Sequence, residues 1–384
     1  MANPRGYGNL IAAIATIAVC DIAMGLTFQL QPLILEQRGV SAAVIGLQAA
    51  MGPLGILLAG PILPRLIGRF GAKRAATVSI LATLAVFAAF NVFPSLAAWF
   101  IIRFIFGIAA GTLFTVSEAW VMTFTAEGMR GRVMGLYTSV LSVTFAVGPI
   151  IIPLTGIAGW LPWIIGMVCV ALGAVPLAFV NASEDLFKGE AKGAFTGFIG
   201  RAPLLLFAVL AVTMTDGIFL AFFSIFAIRS GHTLETASWV LAAGILGNVI
   251  FQPLIGLVAD RWSRTGVIIT AALVTVASTI ALVWAVGTVL IWPVMMIAGS
   301  SAFAAYTIAL TTMGDEFTGP DLIAGSAAMS VIWGLGGVIG PPLAGAAIDR
   351  FGVSAMPLGV ALIYVILIVG LLATGGKLVR AARP

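Results

Sequence analysis

Four ionisable side chains, Asp21, Arg103, Glu118 and Asp216, stand inside long apolar stretches of this chain. An ionisable group in such surroundings is costly to keep, and by default it marks an ion or substrate path. A carboxyl there can take up and release a proton as its access to solvent alternates. It can also hold a cationic ligand, whereas a guanidinium holds an anion through its fixed N–H donors. Asp21 lies about twelve residues into the first apolar run, roughly 18 Å along a helix at 1.5 Å per residue and so near a bilayer midplane. Asp216 falls near the middle of the seventh run. Arg103 and Glu118 share the fourth, and their spacing returns them to within about 60° of one helix face. Arg103 can reach toward Asp21 on its long stem. Gln29, on nearly the same face as Asp21, adds a polar group, and Phe219, Phe223 and Tyr306 add aromatic surface. The expected proton-coupling residues are Asp21, Asp216 and Glu118. The expected substrate-binding residues are Asp21, Gln29, Arg103, Glu118, Asp216, Phe219, Phe223 and Tyr306. Each has a plainer alternative: an ion pair or helix–helix hydrogen bond for the aspartates, a gate with a loop arginine for Glu118, outward snorkelling for Arg103, and packing or lipid contact for the rings.

The elements that position these residues are membrane-spanning helices. Apolar residues make up 61% of the chain and charged residues 9%, against about 25% charged in a soluble protein. Twelve runs reach the ~20 residues that a span requires. They cover residues 9–35, 43–67, 75–94, 97–125, 133–157, 161–180, 203–228, 236–259, 266–286, 289–313, 322–347 and 354–374. No run alternates polar and apolar residues as a barrel strand does. The first run is far longer than a signal-peptide core and reads as a retained helix. The fold class is therefore an all-α polytopic membrane protein.

Lys and Arg set the orientation. With both termini cytoplasmic, fifteen cations fall inside and three (Arg38, Arg229 and Arg350) outside, with Arg103 left within a span. This points to a membrane protein with both termini cytoplasmic, whose net charge of +5 serves topology rather than nucleic acid. Cys20 and Cys169 sit in apolar runs and His232 in a loop, a pattern without metal-ligand spacing. No nucleotide-binding loop occurs. The expectation is therefore a non-enzyme with no cofactor and no metal.

The halves repeat. Asp21 matches Asp216, Gly60 and Arg65 match Gly256 and Arg261, Glu118 matches Glu316, and Gly148-Pro149 matches Gly340-Pro341, at offsets of 195, 196, 198 and 192. Such constancy marks a duplicated six-helix unit. The expected domains are a bundle at 1–180, a cytoplasmic linker at 181–202 with an interfacial helix near 186–199, and a second bundle at 203–384.

Gly256 to Arg261 reads G-x-x-x-D-R, Arg103 to Gly111 reads R-x-x-x-G-x-x-x-G, and Ala146 to Pro149 carries a Gly-Pro pair. In this order the three motifs resemble the loop, fourth-helix and fifth-helix signatures of the major facilitator superfamily over the whole chain. Ser117-Glu118-Ala119-Trp120, with Arg130-Gly131-Arg132 and Gly135-Leu136-Tyr137, looks like a bacterial branch that includes YcaD-like proteins. The resemblance implies two pseudo-symmetric six-helix bundles around a central cavity lined by the first, fourth, seventh and tenth helices. It also implies gating by Asp260 and Arg261 and, through the Gly-Pro motif, by Gly148 and Pro149; Gly340, Pro341 and Pro342 are expected to bend or open the eleventh span, as a gating hinge or as a static kink. One departure stands out: Pro64 occupies the place of the acid in the first-half loop.

The expected function is proton-coupled transport of a small organic molecule by alternating access. Three cavity acids against Arg103 tilt it toward export of a cationic or amphipathic compound by proton antiport. The alternatives are a proton symporter importing a nutrient or organic anion, and a non-transporting receptor or scaffold on the same fold. The expected partners are substrate, protons and the lipid bilayer, with the chain monomeric.

Overall fold

The computed structural model describes residues 4–125, 129–181, 200–259, 261–317, 319–375 and 378. Every regular element among the described residues is a helix. They run α1 (Pro4–Gln37), α2 (Ala42–Ala59), α3 (Leu63–Phe70), α4 (Ala72–Val92), α5 (Leu96–Phe124), α6 (Arg130–Thr155), α7 (Leu161–Phe179), α8 (Pro203–Arg229), α9 (Leu234–Ala259), α10 (Arg264–Ala285), α11 (Ile291–Glu316), α12 (Gly319–Phe351) and α13 (Ala355–Ala373). Twelve are long and apolar enough to cross a membrane, and α3 is the exception. A helix satisfies every backbone donor and acceptor within itself, as hydrocarbon surroundings demand.

The second span is shorter than its apolar run suggests. It ends at Ala59, not near residue 67, because Gly60-Pro61 breaks the ladder and the chain restarts as α3. In α3, Leu63 and Ile67 are buried while Arg65 and Arg69 are exposed, the pattern of a short surface helix. Pro64 falls in its first turn, where a missing N–H costs nothing. The residue that displaces the loop acid thus starts a helix. Helix α12 runs unbroken through Gly340-Pro341-Pro342, so the expected bend does not open it. The linker helix expected near 186–199 and the gating residue Asp260 lie outside the described residues.

The chain divides into two compact units, residues 1–34 with 51–190, and residues 35–50 with 191–384. In the first, α4 packs on α5 and α7. Its α4–α5–α7 contact is filled by Phe87, Phe90, Trp99 and Trp163, whose rings meet edge-on or stacked at 5.0–6.2 Å. In the second, α8 packs on α12, and α9 and α10 each pack on α11.

The second unit includes the end of α1 and the start of α2, and polar contacts fasten both. Arg229 binds the Glu36 carboxylate with two N–H donors at 2.7 and 2.9 Å. Asp349 accepts the backbone N–H groups of Ala42 and Ala43, each at 2.9 Å. A carboxylate from α12 therefore caps the N-terminus of α2 and meets its positive dipole end. Asp349→Ala is expected to cost about 1 kcal/mol, read as a lower thermal midpoint of purified protein, with Asp349→Asn recovering part of the loss.

Candidate functional site

In the first unit, three helices set the charged residues. Asp21 of α1 is 2% exposed. The Thr144 hydroxyl of α6 stands 3.4 Å from its carboxylate, with the Val140 and Leu141 carbonyls at 3.0 and 3.1 Å as nearer acceptors for the same proton. Gly25 of α1 faces the backbone of Phe145, and Gly148 faces Gly25 and Leu26. A Cβ at position 148 would lie 2.7 Å from the Gly25 Cα, closer than real side chains come. These two glycines let α1 and α6 touch backbone to backbone, and that closeness brings Thr144 to Asp21.

Arg103 of α5 is 1% exposed, and its Nε and Nη1 meet no hydrogen-bond partner. Its guanidinium lies over Phe28 at 4.3 Å and near Phe106 at 5.4 Å. Gly52 of α2 leaves it room, since a Cβ there would stand 3.3 Å from Nε. The reach from Arg103 to Asp21 read from the sequence is not made. Each charge keeps its own surroundings, a hydroxyl for the acid and aromatic faces for the base. Glu118, on the same helix as Arg103, is exposed. Beside it Ser117 and Tyr137 share a hydrogen bond of 2.7 Å that ties α5 to α6.

The second unit does not copy this arrangement. Thr144 of α6 meets Asp21 and Phe145 meets Gly25; Gly336 of α12 meets Thr213 and Gly337 meets Gly217. Each second-unit residue follows its counterpart by 192 positions. At this packing register the counterpart of Asp21 is Thr213, three residues before Asp216. Three residues rotate a helix by about 300°. The Asp21–Asp216 match at an offset of 195 is therefore one of residue type, not of place. Half-buried Asp216 lines a small cavity of about 30 Å³ with Thr215 of α8, Gly244 and Asn248 of α9, and Gly299 and Phe303 of α11.

The remaining candidates are dispersed. Gln29 is buried, as are Phe219 and Phe223, the latter with its ring 6.4 Å from Phe226. Tyr306 is half-buried and meets Trp333 of α12 at 4.9 Å and Phe303 at 5.4 Å. Arg261 is exposed and its N–H closes a turn onto Val258. Asp315 pairs with Arg264, while Glu316 is exposed at the end of α11.

The sequence profile described as Major Facilitator Superfamily matches residues 12–327 and, in a second match, 205–380. The chain belongs to the major facilitator superfamily. Among curated members it is similar to the uncharacterized MFS-type transporter YfkF of Bacillus subtilis (strain 168), at 24% identity over 86% of both chains. It is similar to multidrug resistance protein 1 of the same organism at 22% identity, over 89% of this chain and 90% of that one. It is also similar to the uncharacterized MFS-type transporter YcaD of Shigella flexneri at 20%, over 94% and 95%. Among solved structures, nucleoside transporter NupG superposes with a TM-score of 0.75 at 13% identity, over 98% of this chain and all of that one. A bacterial homolog of the lysosomal transporter Spinster gives 0.74 at 13%, over 97% and 96%. These two show that the fold is shared. The superfamily chain is thus a multi-pass membrane transporter and not an enzyme.

Several residues around these sites carry no signal in the sequence. Thr144, Phe28, Thr215 and Trp333 are types found throughout greasy helices, and only packing gives them a place. Asn248 is a polar residue inside an apolar run and was open to notice.

Proposed function

We propose that the chain is a proton-coupled secondary transporter of a small organic molecule, working by alternating access and tilted toward export by proton antiport of a cationic or amphipathic compound. The observation that supports it best is Asp21: a buried mid-span carboxyl facing one hydroxyl at 3.4 Å, with no ion-pair partner among the described residues. A carboxyl without a fixed cation is free to exchange its proton, or to exchange a proton for a cationic substrate. Glu118, exposed on α5, is the second exchange point, and the half-buried Tyr306–Trp333 pair adds aromatic surface for an amphipathic molecule. Similarity to a multidrug resistance protein favours the same direction.

The moving bodies in this proposal are the bundles at 1–180 and 203–384, with Gly148-Pro149 and Gly340-Pro341 as pivots and Asp260 with Arg261 as the cytoplasmic gate. The chain works as a monomer in a bacterial inner membrane with both termini cytoplasmic. In proteoliposomes carrying the purified protein, an inward-directed proton gradient is expected to drive efflux of ethidium or tetraphenylphosphonium, with acidification of the lumen. Efflux of either cation at a rate that ignores the gradient removes the coupling.

A second reading rests on Arg103. A buried guanidinium with unpartnered donors is suited to an organic anion, which makes import by proton symport the alternative. Competition between benzoate-class anions and the cationic probes, in the same vesicles, separates the two.

A further inference from the structure

We propose that the Asp216 cavity is a binding site for a sodium ion, formed wholly within the second unit. Its walls come from α8, α9 and α11, the first carrying Thr215 and Asp216 and the second carrying Asn248. The volume is about 30 Å³. One water-sized probe needs about 10–15 Å³, so the space fits an ion or one to two waters and excludes an organic substrate.

The oxygen inventory points to a cation. Thr215 is 1% exposed, and its buried hydroxyl has Tyr364 as its neighbour for a hydrogen bond. Tyr364 gives its single proton to the Ala302 carbonyl at 2.8 Å, so its oxygen can only accept from Thr215, which leaves the Thr215 lone pairs free. Oδ1 of Asn248 is buried without a partner. Asp216 adds two carboxylate oxygens, and no Lys, Arg or His lines the cavity. The result is a set of oxygen lone pairs on the walls of one small space that no cationic side chain lines. Buried acceptors left so are costly, and a proton on Asp216 supplies one donor among several lone pairs. A cation bound by oxygen satisfies them together.

Charge decides which cation. The site holds one carboxylate. A divalent ion would leave an uncompensated positive charge in a low-dielectric interior, whereas a monovalent one leaves none. Among the described residues no three His, Cys, Asp or Glu stand together, so transition metals lack their ligands. Sodium, a hard cation that takes oxygen ligands, fits the donor set.

The site also explains why Asp216 departs from the packing register. It stands three positions beyond Thr213, the counterpart of Asp21, and addresses α9 and α11 instead of α12. The two units thereby carry different carboxyl sites. This inference does not depend on proton coupling at Asp21 and survives its failure.

The test is thermal unfolding of purified full-length protein in NaCl, KCl and choline chloride at constant ionic strength, with binding of radioactive sodium measured on the same samples. Sodium is expected to raise the midpoint saturably by about 3–6 °C up to about 200 mM, with potassium and choline giving less than a third of the rise. Asp216→Asn and Thr215→Val are each expected to remove the sodium-specific part and to lower sodium binding at least tenfold. Equal midpoints in sodium and choline overturn the proposal and leave the cavity to water. An equal rise with sodium and potassium overturns it as a salt effect. A sodium response intact in both variants overturns the placement. The wild-type comparison stands even where a variant fails to fold.

Discussion

Asp21→Asn is expected to lower proton-driven efflux at least about 100-fold while leaving substrate exchange in place. The amide has the shape of the carboxyl and can still accept the Thr144 hydroxyl, which is 3.4 Å from the acid. The contact between α1 and α6 rests on Gly25 and Gly148, which the change does not touch. The fold is therefore expected to hold, with a thermal midpoint within a degree or two of the parent. What is lost is the proton. Asparagine mimics a permanently protonated carboxyl, so a transporter that loads and unloads there stalls whenever a net proton must move. Exchange of labelled for unlabelled tetraphenylphosphonium across the vesicle requires no net proton and should persist at more than half the parental rate. The two assays together discriminate. If Asp21 only braces α1 against α6, proton-driven efflux continues unchanged, and the coupling assignment fails. If both assays collapse while the midpoint stays, Asp21 contacts substrate as well as protons.

The architecture was legible because lipid imposes simple demands. A span must be long and apolar, and its neighbours must be charged on one side, so twelve helices could be read from composition and Lys/Arg placement. The boundary that slipped shows the limit. Leu63 to Phe70 is apolar enough to extend the second span, but Gly60-Pro61 outranks hydropathy and splits off α3. Site residues were legible as types and less so as partners. Asp21 and Arg103 were singled out by their cost, and both are buried. Their pairing was inferred from opposite charge and a long side chain. It fails because the guanidinium lies on Phe28 and Phe106, while the acid faces Thr144 of α6. Asp216 was matched to Asp21 by identity, whereas packing aligns Asp21 with Thr213. A residue's spacing along a sequence does not record which of three neighbouring helices it faces, and on a helix a slip of three positions changes that neighbour.

Arg103→Met is expected to stabilise the protein while removing its response to anions. The guanidinium is buried, two of its nitrogens lack hydrogen-bond partners, and no acid pairs with it among the described residues. Burying an unpaired charge costs several kcal/mol, and even a buried ion pair replaced by apolar side chains of similar volume often gives a gain of about 1–4 kcal/mol. Against that stands the attraction of Phe28 at 4.3 Å and Phe106 at 5.4 Å. Cation–π contacts are worth about 1–2 kcal/mol when desolvated, less than the charge costs. The balance favours methionine, whose flexible thioether also packs well on Phe28. A net gain of about 1–3 kcal/mol is therefore expected, read as a higher thermal midpoint in detergent. A residue kept at such cost is kept for use. Benzoate-class anions should stabilise the parent protein and leave the Arg103→Met variant unmoved, whereas Arg103→Lys retains a weaker response because a point charge lacks the forked donors. A variant less stable than its parent would mean that Arg103 has an anionic or carbonyl partner in the folded protein, and that its role is structural.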